Sequence, residues 1–130
     1  LRNADNFCIY DPLWRIYCRH YESMAQYIGP KAKLSNSMIS EGSTVKGCVK
    51  KSVVSSGVYI NEGAEIVNSV IMKNAVIGKN AKVYNSIVAE DAVIGEKAIV
   101  GHENIEVGKD MITVVANKDV VGPNEIFKKM

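Results

Sequence analysis

Few side chains in this sequence could act as catalysts. His20 and His102 are the two histidines of the 130 residues, and a histidine beside an acceptor hydroxyl or amine could act as a general base. His102 is the candidate for that role in acyl transfer. The simpler interpretation of both His20 and His102 is a solvated loop histidine. A zinc site built from three histidines is excluded by their number. We therefore expect neither a catalytic residue nor a metal site in this chain.

The cysteines do not form a recognisable pattern. Cys8, Cys18 and Cys48 are an odd number at wide spacing, which argues against a framework of disulfide bonds. No CxxC pair is present to hold a structural zinc ion. We expect each cysteine to be a small buried hydrophobic residue in a reducing, cytoplasmic location.

Five basic residues could bind an anionic group. They are Arg15, Arg19, Lys46, Lys50 and Lys51. Lysine and arginine form charge-assisted hydrogen bonds to phosphate, and three of these residues are close together in the sequence. An ordinary charged surface would also explain them, and both interpretations stay open.

Serine recurs at regular intervals, at Ser37, Ser52, Ser69 and Ser86. No histidine or aspartate recurs beside these residues, so the arrangement lacks the base that a nucleophilic serine needs. Serine hydroxyls at turns commonly bond to nearby backbone groups. We predict that role for all four.

The elements that carry these residues repeat themselves. The stretch 77–81, Ile-Gly-Lys-Asn-Ala, returns at 94–98 as Ile-Gly-Glu-Lys-Ala, an offset of 94 − 77 = 17. Each repeat divides into two units of six and one of five, and each unit begins with Ile, Val or Leu. One repeat is short: the unit Val45-Lys46-Gly47-Cys48 has only four members, so that repeat has 6 + 4 + 5 = 15. Fixed-period repetition is typical of solenoids.

A three-sided coil explains the repeat. Each unit would be a short strand and a corner, and stacked coils would pair as parallel strands. We expect the first aliphatic residue of each unit, and the residue four places later, to point into a dry interior. Gly42, Gly57, Asn74 and Asp91 form a column of residue types that tolerate positive φ at sharp corners. A single coil cannot bury its own face, so stability must come from stacking.

We therefore predict an all-β solenoid of about four and a half coils over 28–104. Residues 105–130 are expected to form an irregular terminal coil or cap, because the regular step is lost after Val100. Residues 1–27 are expected to be a linker with a short helix that packs on the first coil. With a net charge of +2 and no apolar run long enough for a membrane span, neither nucleic acid nor a membrane is an expected partner.

Two levels of family resemblance are visible in these repeats. Units of the form [Ile/Val/Leu]-Gly-x-x-Ala-x are similar to those of the left-handed parallel β-helix family, from which the left hand is inferred. The stretches "YDPLWRIYCRHYE", "AKLSNSMISEGSTVKGCVKKSVVSSGVYI" and "IVNSVIMKNAVIGKNA" resemble the C-terminal region of bacterial glucose-1-phosphate adenylyltransferases. The family motif, which includes the shortened unit, lies on residues 36–78.

The resemblance implies a role without catalysis in this chain. The family converts ATP and glucose 1-phosphate to ADP-glucose and pyrophosphate for glycogen synthesis, using Mg²⁺ and ATP in an N-terminal domain with a glycine-rich loop. This sequence has no such loop, so residues 1–27 would connect to a missing catalytic domain. The C-terminal domain would then support a homo- or hetero-tetramer and the binding of a phosphorylated metabolite effector, for which the five basic residues are candidates. Gly57 and Tyr59 occupy positions where some members carry effector-binding arginines.

A hexapeptide-class acyltransferase that uses CoA thioesters remains the alternative. It would need a cleft for the CoA thioester between coils, with His102 as the base. The protruding loop that such enzymes insert between coils is absent from residues 52–99. A third interpretation is the assembly domain of a different sugar nucleotidyltransferase.

Overall fold

The structure is a computed structural model that describes residues 13, 15, 17, 22–103 and 112–128. Most of the segment for which we expected a linker and short helix lies outside these residues. Within the described part, residues 22–26 have no regular structure. The backbone carbonyl of Met24 accepts a hydrogen bond of 2.7 Å from the amide of Gly42, so this end of the linker runs along the first coil.

The described residues form strands and turns, without a helix. The strands, in chain order, are β1 (Tyr27–Ile28), β2 (Lys33–Ser35), β3 (Met38–Ile39), β4 (Thr44–Val45), β5 (Cys48–Lys50), β6 (Val53–Val54), β7 (Tyr59–Ile60), β8 (Glu65–Val67), β9 (Val70–Ile71), β10 (Val76–Ile77), β11 (Lys82–Tyr84), β12 (Ser86–Val88), β13 (Val93–Ile94), β14 (Ile99–Gly101), β15 (Thr113–Val115), β16 (Val120–Val121) and β17 (Ile126–Phe127).

Every third strand belongs to the same parallel sheet. Sheet A has the order β1-β4-β7-β10-β13-β16, sheet B has β2-β5-β8-β11-β14-β17, and sheet C has β3-β6-β9-β12-β15. The predicted all-β solenoid with three sides is confirmed. The left-handed sense of the coil stays a prediction from the family resemblance.

The pairing register reproduces the coil lengths read from the sequence. Tyr59 pairs with Val76, a step of 76 − 59 = 17, whereas Thr44 pairs with Tyr59, a step of 59 − 44 = 15. The shortened coil is therefore accommodated without breaking any of the three sheets. Because the deletion is confined to one corner, the strands on either side keep their alignment.

The interior of the solenoid is a single stack of aliphatic side chains. β-Branched residues from all three sheets are fully buried there, with alanine in the six-residue units. The largest of them are Ile60, Ile66, Ile71, Ile77 and Ile94.

One detail of the interior differs from the prediction. In the five-residue units the residue four places after the first aliphatic points outward, and Val70 is 39% exposed. Ser69 occupies the buried place instead. Side chains alternate along a strand, so with Ile71 inside, the preceding Val70 must face outward.

The predicted corner column adopts the conformation that its residue types favour. Gly42, Gly57, Asn74 and Asp91 have φ values of 71, 71, 58 and 57°, in the left-handed region. Lys118 continues the column with φ 59°. The prediction for these corners is confirmed.

The chain after residue 103 contributes a further coil. Val93 pairs with Val120, a step of 120 − 93 = 27 in place of the regular 17. We expected an irregular terminal coil or cap over 105–130. In the described part, β15, β16 and β17 each add one strand to an existing sheet, and the irregularity lies in the length of the step.

Candidate functional site

The structure separates the basic residues that are close in sequence. Lys46 lies at the corner between sheets A and B, Lys50 ends β5 on the far side, and Lys51 turns the next corner with φ 48°. Arg15 is exposed, and Arg19 lies outside the described residues. The three lysines therefore do not form one cluster, because Lys46 precedes β5 whereas Lys50 and Lys51 lie at and beyond its far end.

The corner at Val45-Lys46-Gly47-Cys48, which we call the shortened corner, is drawn into the solenoid. Gly47 is buried, and a Cβ atom there would lie 2.5 Å from the carbonyl oxygen of Ala64 and 3.0 Å from that of Asn61. No side chain fits at that distance from backbone atoms. The deletion at this corner thus requires glycine at position 47.

A concavity of about 350 Å³ lies over the shortened corner, and we call it the notch. Its charged lining comes from three successive coils. The positive side consists of Lys31, Lys33 and Lys46, and the negative side of Glu62 and Glu65; Gly47, Cys48, Gly63 and Ala64 complete the lining.

Sequence reasoning missed two of these lysines. Lys31 and Lys33 are far from Lys46 in the chain, but Lys33 pairs with Cys48 across adjacent coils. Cys48 in turn pairs with Glu65. The aligned repeats contained a signal for Lys33, because Lys33, Cys48 and Glu65 fall in one outward-facing column of the alignment.

Lys46 is held in place by an aromatic residue of the next coil. Its Nζ donates a hydrogen bond of 2.8 Å to the hydroxyl of Tyr59 and lies 5.2 Å from the centre of that ring. The hydrogen bond to Tyr59, together with charge interactions that include Glu62, raises the pKa of Lys46 above its usual value. The ammonium group is therefore both positioned and charged at neutral pH.

The opposite side of the notch is oriented by a buried phenol. The hydroxyl of Tyr84 donates to Oε2 of Glu65 at 3.1 Å. Burial, then the hydrogen bond to Glu65, raises the pKa of Tyr84 to about 12. The hydroxyl stays protonated across the physiological range, so Glu65 keeps this donor and its carboxylate is held beside the notch.

The serine column forms a continuous hydrogen-bonded ladder, which we call the serine corner. Ser69 Oγ donates to the carbonyl of Val67 at 2.8 Å and accepts from the amide of Ser86 at 3.2 Å. Ser52 repeats this pattern one coil earlier. The predicted structural role of the serines is confirmed: all four hydroxyls donate to a backbone carbonyl, and those of Ser37, Ser52 and Ser69 also accept from a backbone amide of the next coil.

The Nε2 atom of His102 is not exposed as a base. Its Nε2 is buried and has no hydrogen-bond partner among the described residues. Its backbone carbonyl accepts a bond of 2.6 Å from the side-chain amide of Asn85. A general base must reach the proton that it removes, and this nitrogen is shielded from solvent. His20 lies outside the described residues.

Two faces of the solenoid carry apolar residues outward in register. On sheet A the outward positions are Tyr27, Thr44, Tyr59, Val76, Val93 and Val120, and on sheet C they are Met38, Val53, Val70, Ile87 and Val114. Val120 is 65% exposed and Val114 is 48% exposed. The matching column of sheet B is mixed: it presents Lys33, Glu65 and Lys82 together with Cys48, Ile99 and Ile126. Sheets A and C are therefore the candidate assembly faces.

Two other kinds of feature are absent from the described part of the chain. No group of three or more His, Cys, Asp or Glu side chains there is arranged to hold a metal ion. No helix among those residues is long and apolar enough to cross a membrane.

Comparison with known proteins identifies relatives through the repeat region. The model of the GlmU-like, C-terminal hexapeptide family matches residues 24–121. Glucose-1-phosphate adenylyltransferases from Acetivibrio thermocellus and Bacillus mycoides are each 39% identical to this chain over 71 residues. That match covers 55% of this chain, but only 17% of the first relative and 19% of the second, in their C-terminal part.

Solved structures with similar coils include acetyltransferases. The acetyltransferase domain of PglB from Neisseria gonorrhoeae has a TM-score of 0.42 and 19% identity, covering 72% of this chain and 56% of that one. GDP-perosamine N-acetyltransferase from Caulobacter crescentus has a TM-score of 0.35 and 17% identity, covering 80% and 53%. Likenesses at these scores carry no argument about function.

Proposed function

The chain belongs to the GlmU-like, C-terminal hexapeptide family, and from this premise we propose that it is the C-terminal β-solenoid domain of a glucose-1-phosphate adenylyltransferase. In this proposal the domain has no catalytic residue of its own. It supports subunit assembly and regulation of an enzyme that makes ADP-glucose and pyrophosphate from ATP and glucose 1-phosphate. Mg²⁺ and ATP would bind in the separate catalytic domain.

One observation carries the proposal: 39% identity over 71 residues to curated enzymes of that activity. The chain spans less than a fifth of the length of these relatives, so the activity of a whole enzyme is an inference from one domain. The shortened corner adds support, because it is the most specific part of the family motif and the register places its deletion as expected.

The activity can be tested on the whole reading frame that encodes these residues. The full protein should release pyrophosphate from ATP and glucose 1-phosphate in the presence of Mg²⁺. A parallel reaction with UTP in place of ATP serves as the control for another sugar nucleotidyltransferase. Release with UTP alone would overturn the proposal, as would a reading frame that encodes no nucleotidyltransferase domain.

A full protein with an inactive nucleotidyltransferase domain would indicate a regulatory subunit. If the full protein carries a nucleotidyltransferase domain but is inactive alone, it should restore or alter activity when co-expressed with an active subunit of the same organism. That result would assign this chain to a regulatory subunit of a hetero-tetramer. Absence of any effect on such a subunit would contradict this assignment.

Regulation is proposed to use the basic residues of this domain. Of Arg15, Arg19, Lys46, Lys50 and Lys51, Lys46 is the best supported, since Tyr59 positions it and raises its pKa. In the full enzyme, Lys46→Ala should weaken activation by phosphorylated metabolites. Lys50→Ala is the matched comparison, because Lys50 lies at the other end of β5. Equal activation constants for the parent and both variants would remove these residues from the effector site.

Assembly is proposed to use the apolar faces of sheets A and C. Val93 and Val70 are central outward residues of these faces, 37% and 39% exposed. Val93→Asp or Val70→Asp should each leave the coil folded but shift the full enzyme from tetramer to smaller species in light scattering. A tetramer with both substitutions in place would exclude both faces.

We also propose a cytoplasmic location, in keeping with the metabolic substrates and with the free, partly exposed thiol of Cys48. The acyltransferase alternative is not favoured by the geometry of His102. Calorimetry with acetyl-CoA should show no binding to this chain. Saturable binding at micromolar concentration would reopen that alternative.

A further inference from the structure

We propose that Tyr27 and Tyr59, at the start of sheet A, bind a proline-rich peptide in the polyproline II conformation, with an acidic residue that pairs with Lys46. We call these three residues the tyrosine platform. The proposal goes beyond the enzyme function proposed above and does not depend on it. Neither tyrosine lines the notch, and Val93, proposed above for assembly, lies two strands beyond Tyr59.

Both tyrosines point outward from one column of sheet A. Tyr27 pairs with Thr44 and Thr44 pairs with Tyr59, so the two tyrosines are two strands apart. Tyr27 is 52% exposed and Tyr59 is 36% exposed, and only the smaller Thr44 side chain lies between them in the column. Adjacent strands are about 4.8 Å apart, which places the two tyrosines about 9.6 Å apart along the solenoid.

This spacing matches the repeat of a polyproline II helix. Such a helix rises about 3.1 Å per residue with three residues per turn, so every third residue returns to the same side after about 9.3 Å. Two prolines three positions apart can therefore each lie against one tyrosine, with the residues between them over Thr44. Docking of proline-rich segments on aromatic-lined surfaces is a recurring mode of peptide recognition.

The tyrosine hydroxyls suit the backbone of such a peptide. A polyproline II helix has no internal hydrogen bonds, so its carbonyl groups need donors from a partner. Tyr59 accepts the hydrogen bond of 2.8 Å from Nζ of Lys46, which leaves its own O–H to donate to a peptide carbonyl. The hydroxyl of Tyr27 forms no hydrogen bond with the described residues, so it can act as a second donor.

Lys46 fixes one ring and gives the platform its charge. Its side chain passes over Gly29, where a Cβ atom would lie 3.2 Å from Cγ of Lys46. Its Nζ lies 5.2 Å from the centre of the Tyr59 ring and keeps two N–H donors after the bond to the hydroxyl. An acidic side chain between the two prolines would pair with this ammonium group. Glu62, which also interacts with Lys46, would repel a second acidic residue further along.

The rest of sheet A lacks these features and provides the comparison. After Tyr59 the outward column continues with Val76, Val93 and Val120. Valine has neither an aromatic face nor a donor for the carbonyls of a peptide. A surface that bound peptides only because it is apolar would involve Val120, which is 65% exposed, as much as the tyrosines.

The primary test is an NMR titration of the ¹⁵N-labelled chain with the peptide Ala-Pro-Pro-Glu-Pro-Pro-Ala. Saturable shifts should be confined to the amides of residues 27–29, 44–47 and 59–62. A control peptide with alanine in place of every proline should bind about tenfold more weakly, because it must first be ordered. The absence of saturable shifts at these residues would overturn the proposal, as would equal binding of the control peptide.

A variant that moves one ring tests the spacing itself. The double substitution Tyr27→Thr, Thr44→Tyr keeps both residue types in the column but places the two tyrosines on adjacent strands. It should weaken peptide binding about tenfold, and Tyr59→Ala should have a similar effect, as expected for the loss of one aromatic anchor. Val120→Ala is the matched control and should leave binding unchanged. Thermal unfolding measured in parallel identifies any loss of fold, and unaltered affinity in the folded double variant would exclude the platform.

Reversal of the peptide charge tests Lys46. Replacing the glutamate of the peptide by lysine should weaken binding to the parent chain about fivefold, as expected for one exposed ion pair. Lys46→Ala should abolish this difference between the two peptides. Lys82→Ala, which removes an exposed lysine of sheet B, should retain it. A preference for the acidic peptide that persists without Lys46 would contradict the role of Lys46.

A carbohydrate is the other occupant to test, since sugar rings also stack on aromatic side chains. Saturable binding of maltoheptaose at the same amides, without binding of the peptide, would overturn the proposal and identify a carbohydrate surface. None of these measurements involves catalysis. Peptide binding by this chain together with an inactive full protein would refute the proposed enzyme and leave the platform intact; the opposite pair of results would refute the platform alone.

Discussion

The serine corner and the shortened corner are built from the same repeat but differ in what their side chains do. At the serine corner four successive coils supply serine, and the hydroxyls of Ser37, Ser52 and Ser69 each bond to their own coil and to the next. At the shortened corner one coil breaks the repeat. Within the described part of the chain, the lysines there are unpaired or bound only to a phenol, and a cavity opens beside them.

The difference teaches how a solenoid can acquire a site. Where the repeat is kept, polar groups satisfy one another and stabilise the stack, so they have no capacity left for a ligand. Where the corner is shortened, the backbone moves inward and the neighbouring coils are left with charged side chains around an open space. Function is thus expected at the irregularity and stability at the regular corners.

The largest expected effect comes from adding a methyl group at the shortened corner. Gly47→Ala should destabilise the fold by about 3 kcal/mol, because the Cβ would lie 2.5 Å from the carbonyl oxygen of Ala64. Gly122→Ala is the control, since its Cβ would meet only the flexible carboxylate of Glu125, at 3.1 Å. Urea denaturation measures both. Equal midpoints would mean that the shortened corner is not held as tightly as described.

A smaller loss is expected at the serine corner. Ser69→Ala removes the acceptor for the buried amide of Ser86, which should cost about 2 kcal/mol because that N–H is left without a partner. The exposed Ser35, whose side chain forms no hydrogen bond with the described residues, is the matched control: its change to Ala should cost less than about 0.5 kcal/mol. If the two variants unfold alike, the ladder does not contribute to stability.

The phenol beside the notch should produce a pH dependence. The folded-state pKa of Tyr84 is raised to about 12, above the value of 10.0 for a free tyrosine. The folded state therefore keeps this proton while the unfolded state loses it, and stability should fall between pH 10 and 12, by about 1 to 2 kcal/mol from this group. Tyr84→Phe should remove that part of the decline.

The measurement is the free energy of unfolding of the parent and the Tyr84→Phe variant at pH 8, 10 and 11. Because the other tyrosines titrate in both proteins, only the difference between the two curves reports on Tyr84. A constant difference across this range would contradict the raised pKa of Tyr84, which burial and then the hydrogen bond to Glu65 produce.

The smallest expected effect is a gain in stability. Lys51 turns the serine corner with φ 48°, at a place where Asn36, Asn68 and Asn85 occur in the other coils. Asparagine tolerates this conformation better than lysine, so Lys51→Asn should stabilise the fold by about 0.5 to 1 kcal/mol. The neighbouring Lys50→Asn, within β5, should bring no gain. Thermal unfolding of the two variants compares them directly.

Much of the fold could be predicted because the repeat is a local and periodic property. Branched aliphatic residues at a regular interval can only be buried by stacking, and Gly42 or Asn74 mark corners through their own backbone preferences. The outward orientation of the Val70 side chain was not predicted. The spacing of the units alone does not tell which residue begins the next strand after a five-residue unit.

The strands of the terminal coil could not be assigned to their sheets from the sequence for a related reason. They keep the register, but the step from Val93 to Val120 is longer than in any other pair of sheet A, and a fixed period cannot reach across it. The hydrogen bonds of sheet A identify Val120 as the next member.

The sequence by itself thus determined the three-sided solenoid, its corner residues and the position of the deletion, since each depends on residue type and spacing along the chain. It could not determine which charged residues meet. Lys50 and Lys51 are near Lys46 in sequence but lie across a strand from it, whereas Lys31, Lys33 and Glu65 are distant and line the same cavity. Only the tertiary structure decided this, because coils that stack about 4.8 Å apart bring side chains one whole repeat apart into contact.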